Sequence, residues 1–396
     1  MKIKVLYVET YYHIGGGQQG LLDLLKNIDK DKFEITIILP KEDTPLYNEV
    51  SKIPDINIEI LEFDNIPFIG KITRTFVPIY HPLGVYRLKK LIKKIDPHIV
   101  HANHLLAARY SAKAARQAGY PNIVTVRNVY YKKRFNLNIF VDRRIYKNAT
   151  LIIFNSETGA KVFQERTKAK NITFIRNAVD LSKFDTSPLK KEEKIEFLKK
   201  YNIPLDKRYI IYVGTLSWIK GIFSLLEAYK RLSKEFDDIH LIYVGGGVKE
   251  TPESERLKSL IKEYSLENRI TITGFTKEVE KFYKIAYVNV LPSVLGEGLP
   301  RVLIESSYFG LPSVASDIAG VKEIIRDGEN GFLVKKGDIN DLYKKLKYIL
   351  TISQQEYEKL TKKGRLIVEQ DFNFKKFIEK YEGLYLDLYK KYYNNA

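Results

Sequence analysis

Short apolar segments alternate with helix-forming stretches along most of the chain, and this alternation restricts the fold more than any other feature of the sequence. Each segment has the composition of a buried strand and runs into a glycine or polar turn, after which a helical pattern begins. Strands that alternate with helices form parallel sheets covered by helices, so an α/β fold is predicted. The predicted strands cover residues 3–8, 34–39, 97–101, 123–126, 151–154, 209–213, 240–244, 270–273, 288–291 and 313–315, with another short strand that ends at Asn177.

The length of 396 residues indicates two domains of this kind. Residues 186–207 are charged and contain Pro188 and Pro204, so the junction is expected there. We therefore predict a doubly wound, Rossmann-like domain over residues 1–190 and a second one over residues 205–373. Ligands of open parallel sheets bind at the carboxyl ends of the strands. These ends are expected to face each other across a cleft between the two domains.

The composition excludes several classes of site. The absence of cysteine rules out disulfides, zinc sites built from thiolates and a cysteine nucleophile. Histidine, aspartate and glutamate do not cluster with metal-ligand spacing, and Asp29 and Asp31 lie at the wrong end of the predicted strands for a ligand. No apolar run approaches the ~18 residues of a membrane span, and the first strand lacks the cleavage site of a signal peptide, so a cytoplasmic protein is expected.

The net charge of +18 indicates an anionic partner, which could be nucleic acid, an acidic membrane surface or a phosphate-bearing substrate. A lysine-rich solvated surface explains the same charge, and the sequence leaves both interpretations open. Residues 85–95 form an amphipathic pattern with basic residues on one face. An ordinary helix packed on the sheet is the favoured interpretation. A membrane-surface patch, extended by the basic and aromatic residues from 71 onward, is the alternative.

Glycine turns and a few polar residues follow the predicted strands. The glycines at 15–17 let the backbone approach a ligand closely, and Lys220 precedes a helix whose N-terminus favours a diphosphate. Each of these features also occurs for packing reasons or in a solvated turn. His101 and His104 are interpreted as local hydrogen-bonding residues rather than as a catalytic pair. The sequence contains neither a Gly-Lys-Ser/Thr phosphate loop nor a Gly-x-Ser-x-Gly elbow.

Residues 296–320 contain the most informative candidate site, with Glu297 in a loop and Glu305 in a helix that is expected to start near Pro300. Proline is tolerated in the first helical turn because its missing N–H would have no partner there. The free N–H groups and the dipole at a helix start favour a phosphate or a sugar hydroxyl. Both carboxylates can accept hydrogen bonds from sugar hydroxyls. A helix-end charge for Glu297 and a buried capping interaction for Glu305 are the alternatives.

Short motifs are spread over nearly the whole chain: Gly15-Gly16-Gly17, residues 96–103 (DPHIVHAN), residues 153–157 (IFNSE), residues 176–180 (RNAVD) with Phe184, residues 213–216 (VGTL) with Lys220 and Gly221, Glu297 with Glu305, and residues 327–334 (DGENGFLV). These motifs resemble those of retaining glycosyltransferases of the GT-B fold, in sequence family 4 (group 1). A single motif would be weak evidence for the family, but the number and order of the motifs make the resemblance specific.

The resemblance implies a metal-independent, retaining hexosyltransferase that moves a sugar from a UDP- or GDP-linked donor to a glycan or lipid-linked acceptor in cell-surface glycan synthesis. No cofactor is expected besides this nucleotide-sugar substrate. The helix of residues 374–396 would pack back on the first domain. The enzyme would act in the cytoplasm, and peripheral binding to the inner face of the membrane is an open alternative. The implied roles are donor-sugar binding by Glu297 and the backbone of Gly298, Leu299 and Pro300, ribose binding by Glu305, diphosphate binding by Lys220, Gly15, Gly16 and Gly17, and a position near the base for Gly274 and Phe275.

Two residues depart from the family pattern. The family usually has an arginine after the glycine of the VGTL motif, where this chain has Thr215 at the donor site. The family often has a histidine after the strand that ends here at Val126, and this chain has Arg127. Lys220 must then stabilise the diphosphate alone or with another cation. We expect Arg127 to restore the missing charge and to act with Glu297 and Lys220 in catalysis.

Three other functions stay open on the sequence: a nucleotide-sugar epimerase on the same architecture, a non-catalytic partner subunit and a nucleic-acid binder. Thr215 allows the partner subunit, whereas the intact Glu297, Glu305 and Lys220 argue against it. Nucleic-acid binding rests on charge alone, because the sequence has no recognition module, and nucleic acid is therefore not expected as a partner. The sequence does not identify the base, the sugar, the acceptor or the linkage.

Overall fold

The computed structural model forms two compact α/β units. The first unit consists of Met1–Ala178 and Phe374–Ala396, and the second consists of Val179–Asn373. The chain passes from the first unit to the second before the segment 186–207, where the sequence predicts the junction, because Val179 is already buried in the core of the second unit. The structure describes residues 1–63, 82–127, 145–246, 250–295 and 297–394.

A parallel sheet runs through the first unit. Its described strands are β1 (Ile3–Val8), β2 (Phe33–Leu39), β3 (Ile56–Ile60), β4 (Ile99–Ala102), β5 (Asn122–Val126), β6 (Leu151–Phe154) and β7 (Ile172–Phe174). They pair in the order β3-β2-β1-β4-β5-β6-β7, and every pair is parallel. The chain order therefore reverses between β1 and β4. This is the doubly wound topology that the sequence predicts, and its switch point lies at the carboxyl ends of these two strands.

Helices cover both faces of this sheet. Alternate residues of β1 enter two separate apolar cores, Val5 and Tyr7 on one face and Leu6 and Val8 on the other, as the pleat of a strand requires. The helices described in the main part of the unit are α1 (Gly16–Asn27), α2 (Pro45–Val50), α3 (Pro82–Ile95), α4 (Leu105–Ala118) and α5 (Glu157–Thr167).

The second unit repeats the design with a sheet of six described strands. They are β8 (Arg208–Val213), β9 (Ile239–Val244), β10 (Ile270–Ile272), β11 (Ala286–Leu291), β12 (Ser313–Ser316) and β13 (Gly331–Val334). The order is β10-β9-β8-β11-β12-β13, again with parallel pairs throughout. Here the reversal lies between β8 and β11, so the carboxyl ends of these strands form the switch point of the second unit.

The helices of the second unit bury apolar faces against its sheet. Ile222, Leu225, Leu226 and Tyr229 of one helix, for example, are all buried in the core. The described α-helices of this unit are α6 (Lys191–Lys200), α7 (Ile222–Leu232), α8 (Pro252–Glu263), α9 (Val279–Ile285), α10 (Arg301–Tyr308), α11 (Ile339–Thr351) and α12 (Gln354–Asp371). Helix α13 (Phe374–Tyr389) follows them in the chain and belongs to the first unit.

Helix α3 is the amphipathic helix predicted at 85–95. Val85, Leu88 and Ile92 are buried in the core of the first unit, so the helix does pack on the sheet. Residues 71–81, which extend the predicted basic patch, lie outside the described residues. Within the described ranges no helix combines the length and the apolar character needed to cross a bilayer. The exposed face of α3 carries Leu83, Tyr86, Arg87, Lys90, Lys93 and Lys94.

Helix α13 is held on the first unit by a buried polar chain. The Tyr385 hydroxyl lies 2.5 Å from the Tyr7 hydroxyl and 2.7 Å from Nδ1 of His101. Nε2 of His101 lies 2.7 Å from the Thr125 hydroxyl, so both ring nitrogens are hydrogen-bonded. Burial, and then the nearby Arg127 charge, lowers the pKa of His101 from 6.5 to about 3. His101 is thus a neutral hydrogen-bonding residue, as the sequence interpretation proposes for it.

The His101→Gln variant should lose less stability on acidification than the unaltered protein. Below pH 6.5 the unfolded chain binds a proton at His101 that the folded protein does not accept until about pH 3. The free energy of unfolding therefore falls as the pH falls through this window, by up to about 1.4 kcal/mol per pH unit from this residue. Urea unfolding followed by circular dichroism between pH 7.5 and pH 4.5 measures the effect.

His13 is exposed, and His13→Gln is the matched control for this measurement. The control should keep the pH dependence of the unaltered protein. Identical slopes for the unaltered protein and the His101→Gln variant would show that His101 is not buried as a neutral ring.

Candidate functional site

The switch point of the second unit brings two chain segments into direct contact. Gly221 has a φ of 75°, which favours glycine, and a Cβ there would overlap the backbone carbonyl of Pro292. The amide N–H of Val294 also donates to the carbonyl of Ile219 at 2.8 Å. The turn after β8 is therefore fastened to the loop after β11, and the N-terminus of α7 lies at this junction.

Lys220 and Glu297 form an ion pair at this junction. Nζ of Lys220 lies 2.5 Å from Oε1 of Glu297, and the Ser293 hydroxyl donates to the same oxygen at 2.6 Å. Glu297 is buried, whereas about a quarter of the Lys220 side chain is exposed. Two residues 77 positions apart in the sequence, each selected there for a separate role, thus belong to one charged group.

The loop after Glu297 is shaped by a glycine of a different segment. A Cβ at Gly320 would overlap the carbonyl oxygen of Gly298, so the loop packs directly on the backbone at Gly320. Leu299 is buried in an apolar core beneath it. Pro300 is the N-cap of α10, which begins one residue later at Arg301, so the proline stands just before the first helical turn. Gly296 lies outside the described residues.

Glu305 lies on α10 and is held by two side chains. The Tyr283 hydroxyl donates to Oε2 at 3.1 Å, and Nε of Arg301 lies 3.8 Å from Oε1. Burial, and then the Glu305 carboxylate, raises the pKa of Tyr283 well above its usual value. Tyr283 therefore stays protonated and donates to the carboxylate, which fixes the orientation of Glu305.

Glycines line the ends of β8, β9 and β10. Gly245 has a φ of 117°, and a Cβ there would overlap the carbonyl of Gly214. The N–H of Gly245 donates to the carbonyl of Gly274 at 3.1 Å, and the N–H of Gly246 donates to the carbonyl of Gly214 at 3.1 Å. Three strand ends thus come close through their backbones. Gly247, the third glycine of this turn, lies outside the described residues.

Thr215 and Phe275 flank this glycine cluster and are both exposed, Phe275 to 61%. The Thr215 carbonyl accepts a hydrogen bond from the Tyr212 hydroxyl at 2.6 Å. Burial, and then the Glu297 carboxylate, raises the pKa of Tyr212. The Thr215 side chain brings no positive charge to this end of β8, as the sequence comparison with the family pattern indicates.

The switch point of the first unit is organised by a buried carboxylate, Glu9, at the end of β1. The amide N–H groups of Thr10 and Tyr11 donate to its Oε1 at 2.7 and 2.9 Å, and the His104 ring contacts the same oxygen. Burial alone would raise the pKa of Glu9, but the His104 ring, Asn103 and the Tyr11 N–H together lower it below its usual value. Glu9 is therefore ionised although it is fully buried.

Asn103 connects Glu9 to Arg127. Its Nδ2 donates to Oε2 of Glu9 at 2.7 Å, and its Oδ1 accepts from a terminal nitrogen of Arg127 at 2.5 Å. Nε of Arg127 donates to the Asn103 carbonyl at 3.0 Å. A Cβ at Gly17 would lie 2.9 Å from Cδ of Arg127, so the arginine stem lies directly against the glycine turn at 15–17.

The structure groups the predicted residues by unit. Lys220 and Glu297 are paired, Gly298, Leu299 and Pro300 continue from Glu297 into α10, and Glu305 lies further along that helix. In the first unit, the glycine turn at 15–17 and Arg127 are in contact. The substrate roles given to these residues by the resemblance stay predictions.

The residues that hold these groups in place are not predicted from the sequence. Ser293 and Tyr283 support the glutamates, and Glu9 and Asn103 support Arg127. The available signal was their position, because Glu9, Asn103 and Ser293 all follow predicted strands directly or by one or two residues. His104 follows the same strand as His101, but it contacts Glu9 and belongs to the Glu9 cluster. No group of three potential metal ligands occurs among the residues that the structure describes.

Two family models match the chain and together cover most of it. The model for glycosyl transferases group 1 matches residues 193–367, and the model for glycosyltransferase family 4 matches residues 14–183. The two matches follow each other in the chain and correspond to the second and the first unit. They also contain the site residues that the sequence predicts in both units, whereas Glu9 precedes the first matched range.

Similar proteins of known sequence include glycosyltransferases of bacterial glycan synthesis. An uncharacterized glycosyltransferase of Haemophilus influenzae is 32% identical over 59% of this chain and 60% of its own length. The Escherichia coli UDP-Gal:alpha-D-GlcNAc-diphosphoundecaprenol alpha-1,3-galactosyltransferase is 26% identical over 98% of this chain and 97% of its own. The Campylobacter jejuni N-acetylgalactosamine-N,N'-diacetylbacillosaminyl-diphospho-undecaprenol 4-alpha-N-acetylgalactosaminyltransferase is 28% identical over 86% and 88%.

Solved structures share the fold over the full chain. Anabaena HepE in complex with UDP and glucose has a TM-score of 0.80 at 20% identity and covers 96% of this chain and 99% of its own. A glycosyltransferase from Rickettsia africae has a TM-score of 0.81 at 22% identity, with both chains covered completely. With its two parallel-sheet units, this chain has the GT-B fold and belongs to the group 1 glycosyltransferases.

Proposed function

We propose that this chain transfers a sugar from a nucleotide-sugar donor to a hydroxyl of a lipid-linked or polysaccharide acceptor, with retention of the anomeric configuration and without a metal ion. The Lys220–Glu297 pair at the switch point of the second unit carries the proposal, because it joins a cation for a diphosphate with a carboxylate for a sugar. The Escherichia coli and Campylobacter jejuni relatives support the acceptor class, since their names specify diphosphoundecaprenol-linked acceptors. UDP and glucose in the Anabaena structure support the donor class.

Lys220 is the group that would stabilise the leaving diphosphate. Its ammonium group has three N–H donors, and Glu297 takes one of them in the described structure. The remaining donors, together with the N–H groups at the start of α7, can bind phosphate oxygens. A positive charge aimed at the departing oxygen lowers the barrier because negative charge develops there in the transition state. This is the contribution that would make a metal ion unnecessary.

The two glutamates would orient the donor. Glu297 is oriented by Ser293 and Lys220 through Oε1 and would accept hydrogen bonds from the donor sugar. The backbone of residues 298–300 would complete this part of the site. Glu305, oriented by Tyr283, would accept the ribose hydroxyls. The exposed Phe275, beside Gly274, would lie near the base.

Transfer would proceed at the anomeric carbon without a dedicated base. The bond from this carbon to the diphosphate oxygen breaks, and the bonding electrons leave with the diphosphate. The acceptor hydroxyl attacks from the same face and gives its proton to an oxygen of the departing diphosphate. The configuration is retained because the acceptor enters and the diphosphate departs on the same face of the sugar. Arg127 is proposed to bind an anionic oxygen of a substrate during this step.

An epimerase and a non-catalytic subunit explain these observations less well. The relatives named above are transferases and match over most of the chain. A non-catalytic subunit would not need Ser293 and Lys220 to hold the Glu297 carboxylate in one orientation.

Replacing Lys220 by Met or Glu297 by Gln should lower kcat by about 10²–10³-fold, because each change removes a preorganised group beside the reacting centre. Nucleotide release is measured with UDP-glucose, UDP-galactose, their N-acetylamino forms and GDP-mannose, with a diphosphoundecaprenol-linked sugar as acceptor. Donor binding is followed separately through Trp218. This residue is the sole tryptophan of the chain, is 53% exposed and lies in the same turn as Lys220.

Lys322→Met is the matched control for these variants. Lys322 pairs with Asp317 at 2.7 Å in the same unit, but it is more than half exposed and lies outside the proposed donor site. Normal turnover is expected for this control. Normal turnover of the Lys220 and Glu297 variants as well would show that the pair takes no part in transfer.

Retention and metal independence give a second prediction. An α-linked donor should yield an α-linked product, which the anomeric coupling constant in the proton NMR spectrum identifies. Activity should be unchanged after treatment with EDTA, because Lys220 and the helix start provide the charge stabilisation. A β-linked product would contradict the same-face mechanism. Loss of activity with EDTA, restored by Mg²⁺ or Mn²⁺, would contradict metal independence.

We also propose that the exposed face of α3 binds an anionic membrane surface, which would place the enzyme beside a lipid-linked acceptor at the inner face of the membrane. This face combines Leu83 and Tyr86, 47% and 63% exposed, with four exposed basic residues. Apolar anchors beside lysine and arginine favour binding to anionic lipid headgroups.

Changing Arg87, Lys90 and Lys93 to Gln should reduce co-sedimentation with vesicles of phosphatidylglycerol and phosphatidylcholine at least tenfold at low salt, since each basic residue near the surface contributes about 1 kcal/mol. Lys191, Lys194 and Lys199, which are exposed on α6, provide a control with the same change in net charge. The control should bind nearly as well as the unaltered protein. Equal losses for both variants would show that net charge, and not α3, determines binding.

A further inference from the structure

Glu9 connects the turn after β1 and the start of α1 to the loop after β4, which lies 94 positions further along the chain at Asn103. It accepts from backbone N–H groups in the turn after β1, from the side chain of Gln18 in α1 at 3.4 Å and from Asn103 after β4. Gln18 in turn accepts from the N–H of Gly15 at 3.2 Å. The buried carboxylate therefore holds the glycine turn and the loop after β4 in a fixed relation to each other.

Asn103 links Glu9 to Arg127 by hydrogen bonds and thereby fixes the position of the guanidinium. A primary amide has one donor side and one acceptor side, and the neighbours determine which way it points. Glu9 can only accept and Arg127 can only donate, so Nδ2 must face Glu9 and Oδ1 must face Arg127. The Asn103 carbonyl receives a second N–H of the same guanidinium. Hydrogen bonds from two nitrogens of one guanidinium restrict its orientation as well as its position.

Gly17 leaves the space that the aliphatic part of the Arg127 side chain occupies. It lies in the first turn of α1, and a Cβ at this position would come within 2.9 Å of Cδ of Arg127. Carbon atoms in good contact lie about 3.5–4.0 Å apart, so any larger residue at 17 must move the stem. The glycine is therefore required here by the arginine and not by the helix, in which alanine would be favoured.

We propose that Glu9, Asn103 and Gly17 are positioning residues that hold the Arg127 guanidinium ready to bind an anionic oxygen of a substrate. The inference rests on the proposed function, in which Arg127 binds such an oxygen. A preset guanidinium loses little side-chain freedom on binding, whereas an arginine on a mobile stem loses more. The buried Glu9 thus acts at a distance, through Asn103, on the part of Arg127 that would meet the substrate.

The Gly17→Ala variant separates this role from a structural one. Alanine is favoured over glycine in helices by up to about 1 kcal/mol, which offsets part of the cost of moving the arginine stem, so the variant should stay folded with a melting temperature close to that of the unaltered protein. Its added methyl group displaces Arg127, and kcat/KM should fall at least tenfold. Gly383→Ala is the matched control, because Gly383 also lies within a helix of this unit and a Cβ there meets open space. The control should keep normal turnover.

The effect must run through Arg127, which a double-mutant cycle tests. In an Arg127→Ala background, Gly17→Ala and Asn103→Ala should each change kcat/KM less than twofold, although each lowers it at least tenfold alone. Turnover is measured with whichever of the five nucleotide sugars named above the unaltered protein uses fastest. Melting temperatures of all variants identify any loss that is due to unfolding.

The outcomes distinguish failure of the inference from failure of the proposed role of Arg127. Normal turnover of Arg127→Ala would refute that role and, with it, the positioning. A loss for Arg127→Ala combined with normal turnover of Gly17→Ala would leave the role intact and refute the positioning. Losses that multiply in the double variants would also refute it, because residues that act through one another do not give independent effects.

Discussion

The reversal of strand order in each parallel sheet determines where the side chains of the candidate site meet. All strands of a parallel sheet end at the same edge, and where the order reverses the connections leave to opposite sides. The reversal lies between β1 and β4 in the first unit and between β8 and β11 in the second. Loops that follow these strands are therefore the ones with room for side chains of their own and for a ligand.

The two units use this room in different ways. In the second unit, tight backbone contacts at Gly221 and Gly320 bring two loops together, and Lys220 and Glu297 meet as an ion pair between them. Side chains larger than glycine would separate the backbones at both positions. The charged group is thus a product of backbone packing, with Ser293 supplying the remaining orientation.

At the switch point of the first unit, side-chain hydrogen bonds hold the loops together. The ionised Glu9 is buried, which is tolerated because five groups donate to it or contact it as hydrogen-bond partners. Asn103 is hydrogen-bonded to Glu9 and to Arg127, so the buried carboxylate fixes the position of the guanidinium through this amide. The side-chain amide of Asn103 lies between the Glu9 carboxylate and the Arg127 guanidinium and is hydrogen-bonded to both. The amide thus keeps the two opposite charges apart and holds the guanidinium in one orientation.

Sequence patterns alone predict the α/β class, the two doubly wound sheets, the positions of most strands and the family. These follow from local patterns, since a buried strand and an amphipathic helix are recognisable within a few residues, and from motifs whose order is preserved along the chain. The sequence also selects Lys220, Glu297 and Arg127 from their positions beside the ends of predicted strands and helices, and Glu305 from its place in the helix after Glu297 and from the family pattern.

Which of these residues lie in contact depends on the folded chain and not on local patterns. The Lys220–Glu297 pair spans 77 positions and the Glu9–Asn103 contact spans 94, and no local pattern encodes such distances. Glu9 appeared in the sequence only as a charge after an apolar strand, and Gly17 as one of three glycines. Their meaning depends on strand order, which places β4 beside β1 and the side chain of Arg127 over the glycine turn. Strand order results from the packing of the whole sheet, and for that reason local sequence could not provide it.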